Sequence, residues 1–199
     1  FYDPRTLAPL GDAFPILGVP SGQLNRTDVK YNPVSKQYVA VANGRAYNSQ
    51  GKDVALVALV NGPSAGTPGV AKAWVHDPDT AESYDDVSVA VSSANGNFLL
   101  VAERKLTGEG ESTVGALYDK SGKLLTPAET RLDLLQSIGD EDDPDVAYLE
   151  GRNAFLYLSN TDNSNGSTGT LHNRIVGAVV NETPDAGGNL VVRAEQPLS

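Results

Sequence analysis

A two-strand motif that returns at a nearly fixed interval constrains this chain more than any other feature. Asp28-Val29-Lys30-Tyr31-Asn32-Pro33 leads into Gln37-Tyr38-Val39-Ala40-Val41. Asp86-Val87-Ser88-Val89-Ala90-Val91 leads through Asn95-Gly96 into Asn97-Phe98-Leu99-Leu100-Val101, and Asp145-Val146-Ala147-Tyr148-Leu149 leads through Gly151 into Ala154-Phe155-Leu156-Tyr157-Leu158. The interval is 58 residues from Asp28 to Asp86 and 59 from Asp86 to Asp145. Alternation of Val29 and Tyr31, of Val87, Val89 and Val91, and of Val146 and Tyr148 is the period of a strand, and Asn, Pro and Gly between the halves supply turns.

A second marker keeps the same time. Tyr2-Asp3, Val60-Asn61, Tyr118-Asp119 and Val180-Asn181 each close an apolar run and stand 58, 58 and 62 residues apart. Two markers in step define a repeat whose insertions fall in particular turns. The phases divide one continuous domain into a half unit over 1–23, with a strand expected at Ala13 to Leu17, and repeats over 24–84, 85–143 and 144–199. Each repeat reads as four strands, the last of the second unit lying over Leu124 to Leu132. Helical periodicity is confined to Leu132 to Ser137, too short to stand alone. The fold class expected is therefore all-β, a β-propeller or partial propeller of four-stranded antiparallel blades whose first strands line the axis. A β-sandwich also strings short strands on turns, but nothing in it requires this repeat. A closed propeller takes about four to eight blades, so half a unit plus three leaves an open edge that a neighbouring chain could cover.

Tyr31-Asn32-Pro33, Ile175-Val176-Gly177-Ala178-Val179 and Tyr118-Asp119-Lys120-Ser121-Gly122 carry a resemblance to the blade repeats of extracellular bacterial and archaeal β-propeller proteins, of the DVAYNP, YLVVW and IYGQRLD type. The Trp that usually ends the second strand is missing in all three copies. The resemblance implies a cell-surface or adhesion module rather than a member of one catalytic family.

Composition narrows the function classes. The formal net charge is −10 and the pI about 4.5, a field that repels phosphate backbones and anionic headgroups and argues against nucleic acid as a partner. No apolar run reaches the roughly 18 residues of a membrane span, so no membrane insertion is expected. Cys is absent, which removes disulfides, thiolate metal sites and cysteine nucleophiles. Met is absent too, which suggests a portion of a longer precursor, and the acidic, Gly-, Asn- and Thr-rich balance suggests a secreted, extracellular or cell-surface protein.

Asp28, Asp86 and Asp145 are expected at the mouths of three inner strands, where convergent carboxylates could hold a ligand or serve as the acid and base of a glycosidase. The plainer alternative is that each caps the turn entering its strand. Trp74, His76 and Tyr84 lie close in sequence and could line a glycan platform, although a lone Trp usually packs in a core. Asp140, Asp142, Asp143 and Asp145 form an oxygen-rich run suited to Ca²⁺, the one cofactor the sequence suggests, against the alternative of a solvated loop. Asn25, Asn165 and Asn181 begin N-glycosylation triplets. There is no Gly-x-Ser-x-Gly elbow, Walker loop or sialidase Asp-box. The expected function is a non-enzymatic binding, adhesion or surface-assembly module whose partners are a glycan or a protein surface ligand, or neighbouring copies in a homo-oligomer or filament. Two alternatives are a propeller-type glycoside hydrolase or lyase fragment using the inner-strand carboxylates, and a structural subunit completed by strand pairing. Function is to be sought where the copies differ, in the loops 61–69, 77–85, 140–144 and 160–173.

Overall fold

The computed structural model describes residues 13–17, 24–45, 52–62, 67–76, 83–106, 110–126, 129–132, 140–162 and 174–197. Among the described residues twelve strands form three four-stranded sheets, each antiparallel and each ordered as its strands follow in the chain. Sheet 1 holds β1 (Leu24–Asn32), β2 (Gln37–Arg45), β3 (Asp53–Asn61) and β4 (Gly69–His76). Sheet 2 holds β5 (Ser83–Val91), β6 (Phe98–Leu106), β7 (Gly110–Tyr118) and β8 (Thr130–Arg131). Sheet 3 holds β9 (Asp140–Leu149), β10 (Ala154–Asp162), β11 (Arg174–Asn181) and β12 (Val192–Pro197). Among the described residues no helix is long and apolar enough to cross a membrane.

The first hairpins of sheets 1 and 2 each turn about a side-chain acceptor. Asn32 Oδ1 accepts from the N–H of Val34 and Ser35 at 3.1 and 3.2 Å, and Ser92 Oγ accepts from Ala94 and Asn95 at 3.2 and 3.4 Å. Such short side chains offer the turning backbone the acceptor it would otherwise lack. In all three sheets this turn ends on a left-handed residue just before the second strand: Lys36 at φ 58°, Gly96 at φ 83° and Asn153 at φ 49°. These three landmarks fix which residues are equivalent, so that Tyr38, Phe98 and Phe155 open the second strands in register.

The core follows from strand period. On β6, Phe98, Leu100 and Ala102 face sheet 1, where Val39, Val41, Val57 and Leu59 meet them; Leu99 and Val101 face sheet 3, where Phe155, Tyr157, Ala178 and Val180 meet them. A strand covered on both faces has no polar side to alternate with, which explains the unbroken apolar run from Phe98 to Ala102. The outer strand faces differ: β1 and β4 alternate or are exposed, while β3 is buried from Asp53 to Val60.

Two expectations change, and a third falls almost wholly outside the described residues. Residues 13–17 form bends without strand, so among the described residues the half unit contributes no strand. Phe14, Ile16 and Leu17 instead line a depression of about 490 Å³ against Val29, Ala40 and Ala42 of sheet 1. The fourth strand of sheet 2 reduces to a bridge from Leu124 to Tyr118 and the two residues of β8, because the chain bends at Leu125 and Thr126. Leu132 is fully buried against Gly115, and the rest of the short helical expectation, 133–139, lies outside the described residues.

Candidate functional site

Three inner strands, β1, β5 and β9, lie side by side, and one hydroxyl links them. Ser88 Oγ on β5 lies 3.1 Å from Asp28 Oδ2 on β1 and 2.7 Å from Asp145 Oδ1 on β9. A serine carries one proton, and the shorter contact assigns it to Asp145. Asp28 Oδ2 takes the N–H of Val89 instead, at 3.1 Å. Asp28 also accepts from the N–H of Val29 at 2.7 Å and from the Lys30 ammonium at 2.6 and 2.8 Å. Asp145 accepts from the N–H of Val146 at 2.8 Å. Burial would raise the pKa of Asp28, but the bonds from Lys30, Val89 and Val29 outweigh it and hold the carboxyl below its ordinary range.

This arrangement shifts the repeat. The residue equivalent to Asp28 and Asp145 is Ser88, because each stands ten residues before the register-matched residues Tyr38, Phe98 and Phe155 of the second strands. Asp86 stands two residues earlier, at a bulge between Asp85 and Val87 where it alone has no partner position on β6 and takes φ 36°. Register also slips at Leu24/Thr27 in β1, and opposite Leu158/Asn160 in β9. A bulge re-aims a side chain, and here it turns Asp86 away from Asp28 and Asp145 toward Arg26, whose Nε lies 3.1 Å from its carboxylate. Arg26 also pairs with Asp143, itself left-handed at φ 51°. Burial raises the pKa of Asp86, the Arg26 charge opposes that, and the neighbouring carboxylates of Asp143 and Asp85 add to the rise. The structure thus brings Asp28 and Asp145 together and holds Asp86 apart.

His76 and Tyr84 converge on a residue that sequence reasoning did not single out. Glu129 Oε2 lies 3.3 Å from His76 Nε2 and accepts from the Tyr84 hydroxyl at 2.8 Å, while Arg104 pairs with its other oxygen. A carboxylate only accepts, so Nε2 carries a hydrogen; His76 Nδ1 lies 2.6 Å from the Tyr118 hydroxyl. Burial would raise the pKa of Glu129, but the bonds from His76 and Tyr84 and the Arg104 charge hold it below its usual value. The cluster sits between sheets 1 and 2 with His76 5% exposed. Nothing in Pro127-Ala128-Glu129 carries a period or motif that would have marked it.

Trp74 is spoken for by packing. Its ring lies against Tyr118 at 5.6 Å between centroids and under the Lys72 ammonium at 4.7 Å. It also sits so close over Gly122 that a Cβ there would come within 2.5 Å of the indole. Lys72 donates to the Gly122 carbonyl at 2.8 Å, so β4 is latched onto the β7–β8 turn.

The acidic run is part of β9 rather than a loop; Asp143 is exposed, and the side chains of Asp140 and Asp142 lie outside the description. Among the described residues no group of three or more His, Asp or Glu could hold a metal ion. Of the glycosylation triplets, Asn25 is exposed on β1, Asn181 is half-buried and accepts from Arg193 at 3.2 Å, and Asn165 lies outside the described residues. Most of the loops at 61–69, 77–85 and 160–173 lie outside them as well.

Fold and site together define an all-β protein of three stacked antiparallel sheets joined at their inner strands by polar links. No protein-family model matches the chain, and no curated protein sequence matches it. Among solved structures it is similar to one described as a GH43 β-1,3-galactosidase, at a TM-score of 0.50 and 19% identity. That match covers 86% of this chain and 32% of the galactosidase chain, so this chain spans about a third of its length. At that identity the likeness concerns the fold.

Proposed function

We propose that the three sheets are consecutive blades of a β-propeller and that the protein is a non-enzymatic extracellular binding module, presenting the loops between strands to a glycan or protein surface. The observation that carries this reading is the engagement of Asp28 and Asp145. Both accept from the backbone of their own strand, and both reach Ser88 of the strand between them. Carboxylates used this way hold strands in register. A general acid needs a pKa raised toward the working pH, whereas that of Asp28 is lowered. Binding then falls to the loops that differ between repeats. Binding of the chain to a panel of immobilised glycans tests this: replacing 163–173 with a short Gly-Ser linker should abolish the signal while Asp145→Asn keeps it. Retention of all binding after the loop replacement would remove the reading.

A second reading, a propeller-type glycoside hydrolase fragment, has one observation in its favour. The chain's fold is similar to that of the GH43 β-1,3-galactosidase, and two inner-strand carboxylates share one hydroxyl. It requires hydrolysis of a β-1,3-linked galactan that disappears with Asp145→Asn.

A further inference from the structure

Cations are paired at one end of the strands and free at the other. Arg26 faces Asp86 and Asp143, Arg104 faces Glu129, and Lys105 faces Asp85, Glu103 and Glu111, all at the end away from the β1–β2 and β5–β6 turns. Toward the turn end Lys36, Lys72, Lys120 and Lys123 are exposed, and among the described residues none of them pairs with a carboxylate.

These four lysines gather at the corner where sheets 1 and 2 meet. Lys72 Nζ lies 2.8 Å from the Gly122 carbonyl and 3.3 Å from that of Ser121, so its ammonium sits on the turn that carries Lys120 and Lys123. Packing at Gly96 brings the first turn of sheet 1 to the same place: a Cβ there would meet Val34 Cβ at 3.0 Å and Lys120 Cβ at 3.1 Å, and Lys36 stands two residues past Val34. Asp119, the carboxylate within this turn, is directed inward. Its Oδ1 accepts from the N–H of Ser121 at 2.8 Å, the N–H of Lys123 at 3.0 Å and the Ser121 hydroxyl at 2.6 Å. The net charge of −10 acts weakly here, because salt screens exposed charges beyond about 8 Å at physiological ionic strength. Sheets 1 and 2 already cover each other at this corner, so a further sheet against either outer face of the stack leaves it open.

We propose that this corner is a docking surface for an acidic polysaccharide, whose carboxylate or sulfate groups pair with the four ammonium groups. The proposal rests on the reading of the protein as a glycan-binding module and adds the chemistry of the glycan and a second surface for it. Lysine suits such a ligand, since a compact charge on a flexible stem can follow anions spaced along a chain. Nucleic acid fits less well. Its charge is denser, and the Trp74 ring is taken up by Tyr118, Lys72 and Gly122, which leaves no platform here for a base.

Titration calorimetry of the 199-residue chain with polygalacturonate, dextran sulfate and neutral dextran tests the surface. The wild type should bind at least one of the two polyanions and not the neutral dextran, with affinity that falls as salt rises. Lys120→Glu combined with Lys123→Glu should weaken binding about tenfold or more, and Lys36→Glu, in a separate turn, should weaken it in the same direction. Arg152→Glu combined with Arg193→Glu, an equal change of charge at exposed positions of sheet 3, should leave it within about twofold. Far-ultraviolet circular dichroism confirms that each variant is folded. Equal losses in the two double variants would make net charge the cause and overturn the proposal, as would tighter binding of single-stranded oligothymidylate than of either polyanion. A wild type that binds neither polyanion would also overturn it; if that protein still binds a neutral glycan, the binding module stands without this surface.

Discussion

Glu129 ties three side chains from sheets 1 and 2, those of His76, Tyr84 and Arg104, to one buried carboxylate, and its contribution depends on its charge. Glu129→Gln removes the negative charge that Arg104 and His76 face, and the expected loss is about 1–3 kcal/mol at neutral pH. Because the carboxyl is held below its ordinary value of 4.5, the stability it adds is present above that pH and is lost as the pH falls through its lower folded-state pKa. Urea unfolding of wild type and variant from pH 7 to pH 3 should show a gap that narrows below about 4.5. A gap that does not change with pH would mean the carboxylate is not held by those charges. Gly122 gives a second residue-scale test, since it sits at φ 73° with the Trp74 ring against its Cα. Gly122→Ala should cost about 1–3 kcal/mol and shift the emission of Trp74 to longer wavelength as the ring is pushed into water; an unchanged spectrum would place the indole elsewhere. Neither residue's role was legible in the sequence. Trp74 was visible as a lone aromatic, but its packing against a turn some fifty residues on depends on how two sheets stack, and Glu129 lies in a segment with no pattern at all.

At the scale of the strand, more could be read. Alternation and turn chemistry located β1, β2, β5, β6, β9 and β10, because strand period and left-handed turn residues are local properties. Register was less secure. The Asp-Val pairs suggested that Asp86 matches Asp28 and Asp145, yet the distance from each Asp to the equivalent residues Tyr38, Phe98 and Phe155 is ten, twelve and ten residues. That mismatch signals the bulge that moves Asp86 and puts Ser88 in the equivalent place. The fourth strand of sheet 2 was legible only in part: Leu124 bridges Tyr118 and the N–H of Leu132 donates to the Thr113 carbonyl, but the chain bends at Leu125 and Thr126 between them. Equivalent residues with unequal cover test the packing scheme. Leu99→Ala, between two sheets, should cost about 3 kcal/mol, and Leu156→Ala, at the same position on the open face, about 1 kcal/mol. Equal losses in denaturant unfolding would show that sheet 3 is covered as sheet 2 is.

For the whole molecule, stacking explains both the repeat and its irregularities. Sheet 2 buries both faces on its neighbours and sheets 1 and 3 each bury one face on it, so the apolar positions must recur, while the polar residues need only join inner strands wherever these come close. Asp28, Ser88 and Asp145 do this with three residues and two chemistries, which is why a motif search on Asp alone finds the repeat yet misplaces its centre. Their use in holding β1, β5 and β9 together is the central claim, and it opposes a hydrolytic role for the same carboxylates. The direct test is the initial rate of β-1,3-galactan hydrolysis by the wild type and by Asp28→Asn and Asp145→Asn, each first shown to be folded. The account expects no turnover above buffer in any of the three; wild-type turnover that vanishes in a folded Asp145→Asn variant would contradict it.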